Sequence, residues 1–443
     1  MLPTNRSSPA GPSLEQPHKD RSLWVERLSL TNFRSYASVT IDTGPEPQVI
    51  AGANGAGKTN LLEAISLLAP GQGMRRVPFV ELAGANGPGG FAVAARVHTL
   101  NGAADIGTGI AAGDGGFGVS AWGEAGAASA SEGAAGFAGS EYSPPPLPYA
   151  HPDPLPKGRG GSGRIVRIDG MPQSGSGILA DYLEIVWVTP AMDGLFTGAA
   201  SERRRFLDRL ILCFDPAYRT IAGRFERAMT SRNRLLADGV RDNAQLSGFE
   251  RVMAESGVAV AAARLEAVAA MAVIIEKRRT RDPQSAFPWS SLAIEGQIEN
   301  DLAHIPAIEA EDAYARILRE TRERDRGAGR TLDGPHRSDL SVTHGPKQAA
   351  ARLCSTGEQK ALLLGLVLAH AELLTARQEG ASPILLFDEI TAHLDEQRRA
   401  ALFGEILRLK AQAWMTGTDA SAFSTLQHKA RFWTFEGAKV IPA

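Results

Sequence analysis

Eight consecutive residues near the N-terminus have the composition of a phosphate-binding loop. They are Gly52, Ala53, Asn54, Gly55, Ala56, Gly57, Lys58 and Thr59, and they match G-x-x-x-x-G-K-[ST] in full. Glycines permit backbone conformations that direct several N–H groups at phosphate oxygens. In such a P-loop, Lys58 reaches the β- and γ-phosphates and the Thr59 hydroxyl is a Mg²⁺ ligand. The predicted ligands are ATP and Mg²⁺, and Lys58 is also a candidate catalytic residue.

Two carboxylates near the C-terminus follow a short apolar run. The run Ile384–Phe387 predicts a buried parallel strand, which would carry Asp388 to its C-terminal edge beside the P-loop. There Asp388 is a candidate Mg²⁺ ligand, and Glu389 is the candidate general base that polarises the attacking water. Taken alone, the same pattern fits a core strand that ends in a solvated turn. The complete P-loop elsewhere in the chain favours the catalytic interpretation.

The segment Cys354–Lys360 (CSTGEQK) opens a predicted helix, with Ser355 or Thr356 as its N-cap. One interpretation is a good capping sequence and nothing more. The other is an ABC-type signature, in which Ser355 and the amide of Gly357 bind the γ-phosphate held by a second subunit. The order of the motifs favours the second interpretation, because the signature precedes the acidic strand and both lie far from the P-loop.

The spacing of these motifs narrows the class of ATPase. Asp395 ends the stretch Ala392–Asp395, which follows the two carboxylates as a D-loop should, and it joins the predicted nucleotide site. Ser355 lies 296 residues after Thr59. That gap is much longer than in ABC transporter domains and much shorter than in SMC proteins with long coiled coils. It therefore favours the compact DNA-repair branch of these ATPases.

Short strands and helices around the motifs are predicted to position them. Residues 25–42 alternate apolar and polar positions and predict two strands joined by a turn near Asn32–Ser35. The strand Gln48–Ala51 leads into the P-loop, and Asn60–Leu68 predicts an amphipathic helix after it. Helix and strand alternate again from Leu353 onwards. The predicted fold class is α/β: an ABC/SMC-type P-loop ATPase head formed by both chain ends, with an inserted helical second lobe.

The sequence divides into six predicted segments. They are a disordered N-terminal tail (1–22), the N-terminal part of the ATPase lobe with the P-loop (23–100), a Gly-rich flexible insertion (101–163), the return strands of the ATPase lobe (164–200), a helical Arg-rich lobe (201–330), and the C-terminal part of the ATPase lobe with signature, acidic strand and D-loop (331–443). The insertion holds 16 of the 47 glycines, so burial is not expected to offset its ordering entropy.

Composition excludes several classes of protein. The formal net charge of −2 gives no global positive field, so any nucleic-acid contact must come from local patches. Two cysteines argue against a disulfide scaffold or a multi-cysteine metal site, and they fit a reducing cytoplasm. The longest apolar runs fall well short of the ~18 residues of a membrane span. We therefore expect a soluble cytoplasmic protein that does not enter a membrane.

Together these motifs resemble the RecF family of bacterial recombination mediators over the whole chain outside the tail and the insertion. The stretches that carry the resemblance are Leu30–Tyr36, Gly52–Ala64, Glu202–Asp208, Ser231–Asn233, Gly334–Leu340 and Thr416–Asp419. Two departures are the Gly-rich insertion and Glu389, which stands where many family members carry a second Asp. Glutamate keeps the carboxylate that a general base needs.

The resemblance implies ATP-dependent homodimerisation on DNA, at gapped or single-strand/double-strand junctions. It implies RecR, with RecO, as partners that help RecA load during repair and replication restart. It also implies that the ATPase is weak, DNA-stimulated and acts as a switch rather than as a metabolic enzyme. Arg34 becomes a candidate nucleotide contact, although a strand-end surface residue explains it equally well.

An excess of arginine in residues 201–234 supports a DNA contact. The stretch holds nine Arg against four acidic residues, and such patches neutralise phosphates without reading base identity. The candidate DNA-binding residues are Arg203, Arg204, Arg205, Arg209 and Arg232. For any single arginine, a solvated helix face with internal ion pairs is the alternative interpretation.

Two other functions of the same superfamily are alternatives to be weighed on the sequence alone. An effector or nuclease-coupled ATPase would need a separate acidic metal cluster or an appended catalytic domain. A transporter subunit has no place for the Arg-rich lobe. The main hypothesis is therefore a DNA-binding ATPase switch, in which ATP held between the P-loop of one subunit and Ser355 of the other closes a dimer.

Overall fold

The computed structural model describes residues 22–84, 87, 89–111, 163–240, 242–436 and 439–443. The predicted tail, apart from Ser22, lies outside the described residues, and so do residues 112–162 of the predicted insertion.

Fifteen strands are described: β1 (Trp24–Phe33), β2 (Tyr36–Asp42), β3 (Gln48–Ala51), β4 (Phe91–Thr99), β5 (Gly102–Ile110), β6 (Ile165–Ile168), β7 (Met171–Pro172), β8 (Ile185–Val188), β9 (Ser290–Glu295), β10 (Asp339–His344), β11 (Ala349–Ala350), β12 (Ile384–Phe387), β13 (Ala413–Gly417), β14 (Arg431–Glu436) and β15 (Lys439–Pro442). The helices described are α1 (Lys58–Ser66), α2 (Ala200–Phe214), α3 (Tyr218–Ala237), α4 (Asn243–Arg281), α5 (Gln297–Leu302), α6 (Ala307–Glu320), α7 (Arg322–Ala328), α8 (Thr356–Arg377) and α9 (Glu396–Leu409).

A six-stranded sheet at the centre of the ATPase lobe combines both ends of the chain. Its strand order is β15-β14-β3-β13-β12-β8, and all neighbours pair in parallel except β14 and β15. The strands β3, β8 and β12 are buried along their whole length, as parallel strands covered on both faces must be. The predicted α/β head made from both chain ends is therefore confirmed.

A second six-stranded sheet, antiparallel, has the order β2-β1-β4-β5-β6-β7. Strands β1 and β2 meet at the predicted turn, where Asn32 and Arg34 take positive φ. The predicted flexible insertion begins too early, because residues 102–110 form β5 in the interior of this sheet. At Gly109 a Cβ would stand 2.1 Å from the carbonyl oxygen of Phe91. Close approach of two backbones explains that glycine, which sequence composition assigned to flexibility.

Removal of residues 112–162 is expected to leave the fold intact. Gly109 of β5 pairs directly with Ile165 of β6, so the two strands that flank the excised segment already lie side by side. Deletion would join Ala111 to Gly163, and Ala111→Asn would make that connection an Asn-Gly hairpin turn. We expect ATP affinity to change less than about twofold and the melting temperature not to fall, since a shorter connection between β5 and β6 costs less closure entropy. Thermal melts and nucleotide titration measure both, and loss of folding would contradict the expectation.

The helical lobe is built on the pair α3 and α4, with α6 packed against α4. A separate apolar cluster that includes Phe225, Met253, Tyr314 and Leu318 fills its interior. The predicted boundary at residue 330 divides one small sheet, because β9 from the lobe pairs with β10 from the C-terminal part. The lobe is therefore joined to the signature-bearing part of the ATPase through a shared sheet.

Helix α8 forms the centre of the largest apolar cluster and packs against α4, α2, α9 and β8. By length and composition alone, α4 and α8 could each cross a membrane. The most apolar stretch of α8 is 78% buried inside the protein, and that of α4 is 50% buried. An apolar helix of this kind is typical of the core of a large domain.

Candidate nucleotide-binding site

The carboxyl ends of β3 and β12 lie at one edge of the parallel sheet, with β13 between them. The P-loop leaves β3 at this edge, and Asp388 and Glu389 follow β12. The Thr59 hydroxyl donates a hydrogen bond of 2.9 Å to Oδ1 of Asp388, across 329 residues of sequence. The structure thus brings together the two motifs that the sequence separates.

The P-loop holds its conformation through glycines at positions that other residues rarely adopt. Gly55 and Gly57 have φ of 83° and 104°, and a Cβ on Gly57 would stand 2.9 Å from the Tyr36 hydroxyl. Gly57 is the N-cap of α1, so this helix begins at Lys58, two residues earlier than predicted. Its N-terminal amides and dipole are aimed at the place where a phosphate would bind.

Lys58 is buried, with 4% of its surface exposed. Its ammonium group donates to the carbonyl oxygens of Gly52 (2.7 Å) and Ala53 (3.0 Å) and lies 3.6 Å from Oε1 of Glu389. The lysine therefore stands between the P-loop and the candidate general base.

Asp388 is held by a residue that sequence reasoning did not place in the site. Thr416, fully buried on β13, donates to Oδ1 of Asp388 (2.8 Å) and accepts from the backbone amide of Glu389 (2.8 Å). Glu389 itself has φ of 50°, a strained backbone that turns the chain sharply after Asp388. The only signal in the sequence is the position of Thr416 at the start of the TGTD stretch.

The signature turn lies at the N-terminus of α8, and its Ser355 is exposed. The Ser355 amide donates to Oε2 of Glu358 (3.0 Å). Hydrogen bonds from Lys347 and from Ser355 lower the pKa of Glu358 to about 2. In the described part of the chain, no hydrogen bond or ion pair joins residues 355–357 to the P-loop.

The predicted D-loop packs against the predicted signature turn. A Cβ on Gly357 would stand 3.4 Å from the carbonyl oxygen of His393 and 3.4 Å from Nη1 of Arg398. Asp395 is the N-cap of α9, where its Oδ1 accepts from the Arg398 amide at 2.8 Å. Asp395 therefore has a structural role in this conformation, beside the candidate role in nucleotide binding.

Comparisons with known proteins decide the family. A family model described as an AAA domain matches residues 27–78. The DNA replication and repair protein RecF of Mesorhizobium japonicum is 46% identical over 418 residues, which cover 94% of this chain and 97% of that protein. The protein of the same name from Rhizobium etli is 45% identical over 424 residues, 96% and 99% of the two chains. This chain belongs to the RecF family.

The fold agrees with solved RecF structures. The recombination mediator protein RecF-ATPrS in the RecFOR pathway superposes with a TM-score of 0.75 at 18% identity, over 96% of this chain and 99% of that one. The RecF-ATP structure of the same pathway gives 0.72, also at 18% identity, over 97% and 100%. At this identity the likeness establishes a shared fold.

Arg34, the nucleotide contact implied by the RecF resemblance, lies beside the P-loop helix. Its Nε and Nη2 atoms donate to the two oxygens of Glu63 on α1, each at 3.0 Å, and Nη1 donates to the carbonyl oxygen of Glu81 at 3.0 Å. Glu63 is 2% exposed. The guanidinium is therefore fixed in position and its charge is paired, so a contact with nucleotide would use its remaining exposed surface.

The prediction that Arg232 contacts DNA is wrong, because none of its side chain is exposed. It donates to Glu250 (3.1 Å), Asp325 (2.7 Å), Thr331 (2.9 Å) and the carbonyl oxygen of Leu318 (2.6 Å). Such a set of acceptors compensates the desolvation of a buried cation. In this RecF-family chain Arg232 holds the helical lobe together.

Three further candidate DNA-binding arginines also have structural partners. Arg203 forms a bidentate pair with Asp339 at 2.8 and 2.7 Å, and Arg204 donates to the carbonyl oxygen of Ser338 at 2.5 Å. Arg209 lies between the rings of Trp187 (4.7 Å) and Phe206 (5.6 Å), and burial lowers its pKa to about 10.

Arg205 is the candidate whose charge faces outward. It is exposed, and its recorded hydrogen bond goes to the carbonyl oxygen of Ser201 in the preceding turn. Among the five predicted DNA-binding arginines it is the exposed one, so its charge is the most accessible to a phosphate.

Proposed function

We propose that this chain is an ATP-dependent DNA-binding protein of recombinational repair and replication restart, and that it acts in the cytoplasm. The observation that carries the proposal is the contact between Thr59 and Asp388 at the P-loop, beside Lys58 and Glu389. Family membership supports it, since the relatives bear the name DNA replication and repair protein and the solved RecF structures are described with ATP or ATPrS.

Nucleotide binding would rest on groups already aimed at one place. The P-loop amides and the N-terminus of α1 attract phosphate, and Lys58 exchanges its two carbonyl partners for phosphate oxygens. The hydroxyl of Thr59 and the carboxylate of Asp388 converge as hard oxygen donors, which fits Mg²⁺. When bound, the ion neutralises charge on the phosphates.

Hydrolysis would depend on Glu389. Its carboxylate is 3.6 Å from the Lys58 ammonium, so the lysine must turn to the phosphates before the carboxylate can take a proton from water. A general base acts only within hydrogen-bond reach of that water. A slow reaction suits a switch, whose lifetime in the ATP state sets how long it stays closed.

Dimerisation would complete the site. Ser355 is exposed and makes no recorded contact with the P-loop of its own chain within the described residues, so Ser355 and Gly357 are available to nucleotide held by a second copy. ATP then favours the closed dimer because it makes more contacts there than in the monomer.

The DNA contact would be structure-selective. Arg205 and the exposed surface near it would contact phosphates, so we expect binding to gapped or single-strand/double-strand junctions without sequence preference and with strong salt dependence. The family resemblance adds RecR and RecO as partners and RecA loading as the outcome.

Ser355→Ala is expected to leave ATP binding by the monomer nearly unchanged and to weaken ATP-dependent dimerisation by at least about 100-fold. Two symmetric sites each lose one hydrogen bond to a charged phosphate, and such bonds contribute about 1.5–3 kcal/mol each. Sedimentation with ATP measures dimerisation, and DNA binding to gapped and blunt duplexes over a salt series measures the consequence.

Two control variants separate function from folding. Ser355→Gly also removes the hydroxyl, and glycine serves better than alanine as an N-cap, so it should reproduce the defect with a smaller loss of helix stability. Ser174→Ala removes an exposed serine hydroxyl after β7 and should dimerise like wild type. Normal ATP-dependent dimerisation of both Ser355 variants would exclude the composite site.

The nuclease-coupled or effector ATPase remains the competing function. In the described ranges, no group of three or more His, Cys, Asp or Glu residues is arranged to hold a metal ion. A nuclease assay on gapped DNA with Mg²⁺ and with Mn²⁺ decides between the two, because cleavage by the wild-type chain would require an active site that an ATPase switch does not have.

A further inference from the structure

Residues 189–199, which connect β8 to α2 and are called here the β8–α2 connection, begin at the nucleotide site. β8 is the edge strand beside β12. The carbonyl oxygen of Val188 accepts a hydrogen bond of 3.0 Å from the backbone amide of Asp388, the candidate Mg²⁺ ligand. A displacement of the Asp388 backbone would therefore act on the start of this connection.

An ion pair joins the β8–α2 connection to the signature helix. Asp193, five residues after Val188, accepts from the ammonium group of Lys360 at 3.2 Å. Lys360 lies on α8, one turn beyond the N-cap Ser355, and only 2% of it is exposed. The pair thus connects the segment that leaves the nucleotide site with the helix whose N-terminus carries the signature.

Arg203 on α2 holds the far end of the same connection. Nη1 of Arg203 donates to the carbonyl oxygens of Leu195 (3.2 Å), Phe196 (3.3 Å) and Gly198 (2.7 Å). The same side chain forms the bidentate pair with Asp339, the first residue of β10. Because β10 leads through β11 to the signature turn, the connection is fixed to the signature-bearing part at both ends.

The Asp193–Lys360 pair is partly buried and has few hydrogen bonds, since the side chain of Lys360 is 2% exposed and that of Asp193 is 30% exposed. An ammonium group has three donors, yet within the described residues Lys360 has Asp193 as its one recorded partner. The second carboxylate oxygen of Asp193 is buried and has no hydrogen-bond partner. A partly buried pair with so few hydrogen bonds adds little net stability, since solvent screens the exposed side of Asp193 and the attraction must offset the desolvation of Lys360. Position, rather than stability, is the property that such a pair supplies.

We propose that Asp193 and Lys360 are positioning residues. Within one subunit, they make the orientation of the signature turn depend on whether ATP occupies the nucleotide site. ATP bound at the P-loop displaces Asp388, the β8–α2 connection moves with it, and the ion pair carries α8 and Ser355 into the orientation that a second copy can engage. The inference rests on the proposed ATP-dependent dimerisation and specifies what regulates it.

A double-mutant cycle tests the pair. Asp193→Asn and Lys360→Met are each expected to weaken ATP-dependent dimerisation by about tenfold, the usual scale of coupling between sites. The double variant should be no weaker than either single one, because both remove the same interaction. ATP affinity, measured at concentrations where the chain is monomeric, should change less than about twofold, since neither residue contacts the P-loop. Additive losses, or losses that follow the melting temperature, would show that the pair is only structural.

Conservative and matched variants sharpen the test. Asp193→Glu keeps the charge and should restore most of the dimerisation that Asp193→Asn loses. Glu255→Gln removes a carboxylate from an exposed ion pair with Arg224 in the helical lobe and should have no effect on dimerisation. Failure of Asp193→Glu to exceed Asp193→Asn would count against a charge-dependent link.

Hydrogen exchange separates this inference from the proposed function. In the monomer, ATP should change the exchange of the backbone amides of residues 355–361 in the wild-type chain and leave them unchanged in Asp193→Asn. If ATP changes exchange in the wild-type monomer but not in Asp193→Asn, and the wild-type chain never dimerises, the proposed dimer is wrong. The proposed link between the nucleotide site and the signature turn then stands. Equal responses of the two proteins, or no response in wild type, would overturn the link itself.

Discussion

Lys58→Ala is expected to weaken ATP binding by at least about 100-fold, because it removes two charge-assisted hydrogen bonds to phosphate of about 1.5–3 kcal/mol each. The ammonium group already lies at the P-loop, bonded to Gly52 and Ala53 and close to Glu389. The variant should therefore fail in every ATP-dependent step, including dimerisation and DNA binding with ATP. Equilibrium titration with a fluorescent ATP analogue measures the loss.

The control for Lys58→Ala is a lysine of equal charge away from the site. Lys277, exposed near the C-terminus of α4, makes no recorded contact with the P-loop. Lys277→Ala should bind ATP within about twofold of wild type, since distant exposed charges are screened by salt. If Lys58→Ala bound ATP as tightly as Lys277→Ala does, the P-loop assignment would be wrong.

Arg232→Ala is expected to lower the free energy of unfolding of the helical lobe by about 3–5 kcal/mol, the usual effect of removing one partner from a buried charge network. The change removes the cation that Glu250 and Asp325 share; Glu250 keeps its pair with Arg322 at 2.6 Å, whereas Asp325, which is 0% exposed, loses its partner at 2.7 Å. Urea denaturation followed by far-ultraviolet circular dichroism measures the loss. The cause is the desolvated carboxylate of Asp325 and the loss of the network around it, not a lost contact with DNA.

Arg234 on the same helix provides the matched control. Its side chain is 84% exposed and pairs with Asp238 at 3.7 Å, four residues on. Arg234→Ala should change stability by no more than about 0.5 kcal/mol, as exposed helical ion pairs do. If Arg232→Ala were as stable as Arg234→Ala but bound DNA more weakly, the original assignment of Arg232 to DNA binding would be restored.

The sequence predicted the parts of the nucleotide site whose chemistry is local. A P-loop needs glycines, lysine and a hydroxyl in consecutive positions, and the strand before Asp388 needs an unbroken apolar run. Strands β3 and β12 have the predicted bounds without change. Because both strands are parallel and buried, their ends had to meet at one edge, and the Thr59–Asp388 contact follows from that rule.

Interactions between residues far apart in the chain were not predictable in the same way. Arg232 and Asp325 are 93 residues apart, and Arg203 and Asp339 are 136 apart. A count of arginines in one stretch cannot show which of them are neutralised by carboxylates from elsewhere. Thr416 was missed for a related reason, because a threonine inside a strand looks like an ordinary β-branched strand residue until its two hydrogen bonds are seen.

The position of β3 has a consequence for the synthesis of the protein on the ribosome. Both neighbours of β3 in the sheet, β13 and β14, come from the last part of the chain. At 5–20 residues per second, roughly 20–70 s separate translation of the P-loop from that of β13. During that time the strand that carries the P-loop has no partner on either side. A polypeptide released before residue 413 would contain the complete motif and yet have no sheet to hold it, so translation must be nearly finished before ATP can bind.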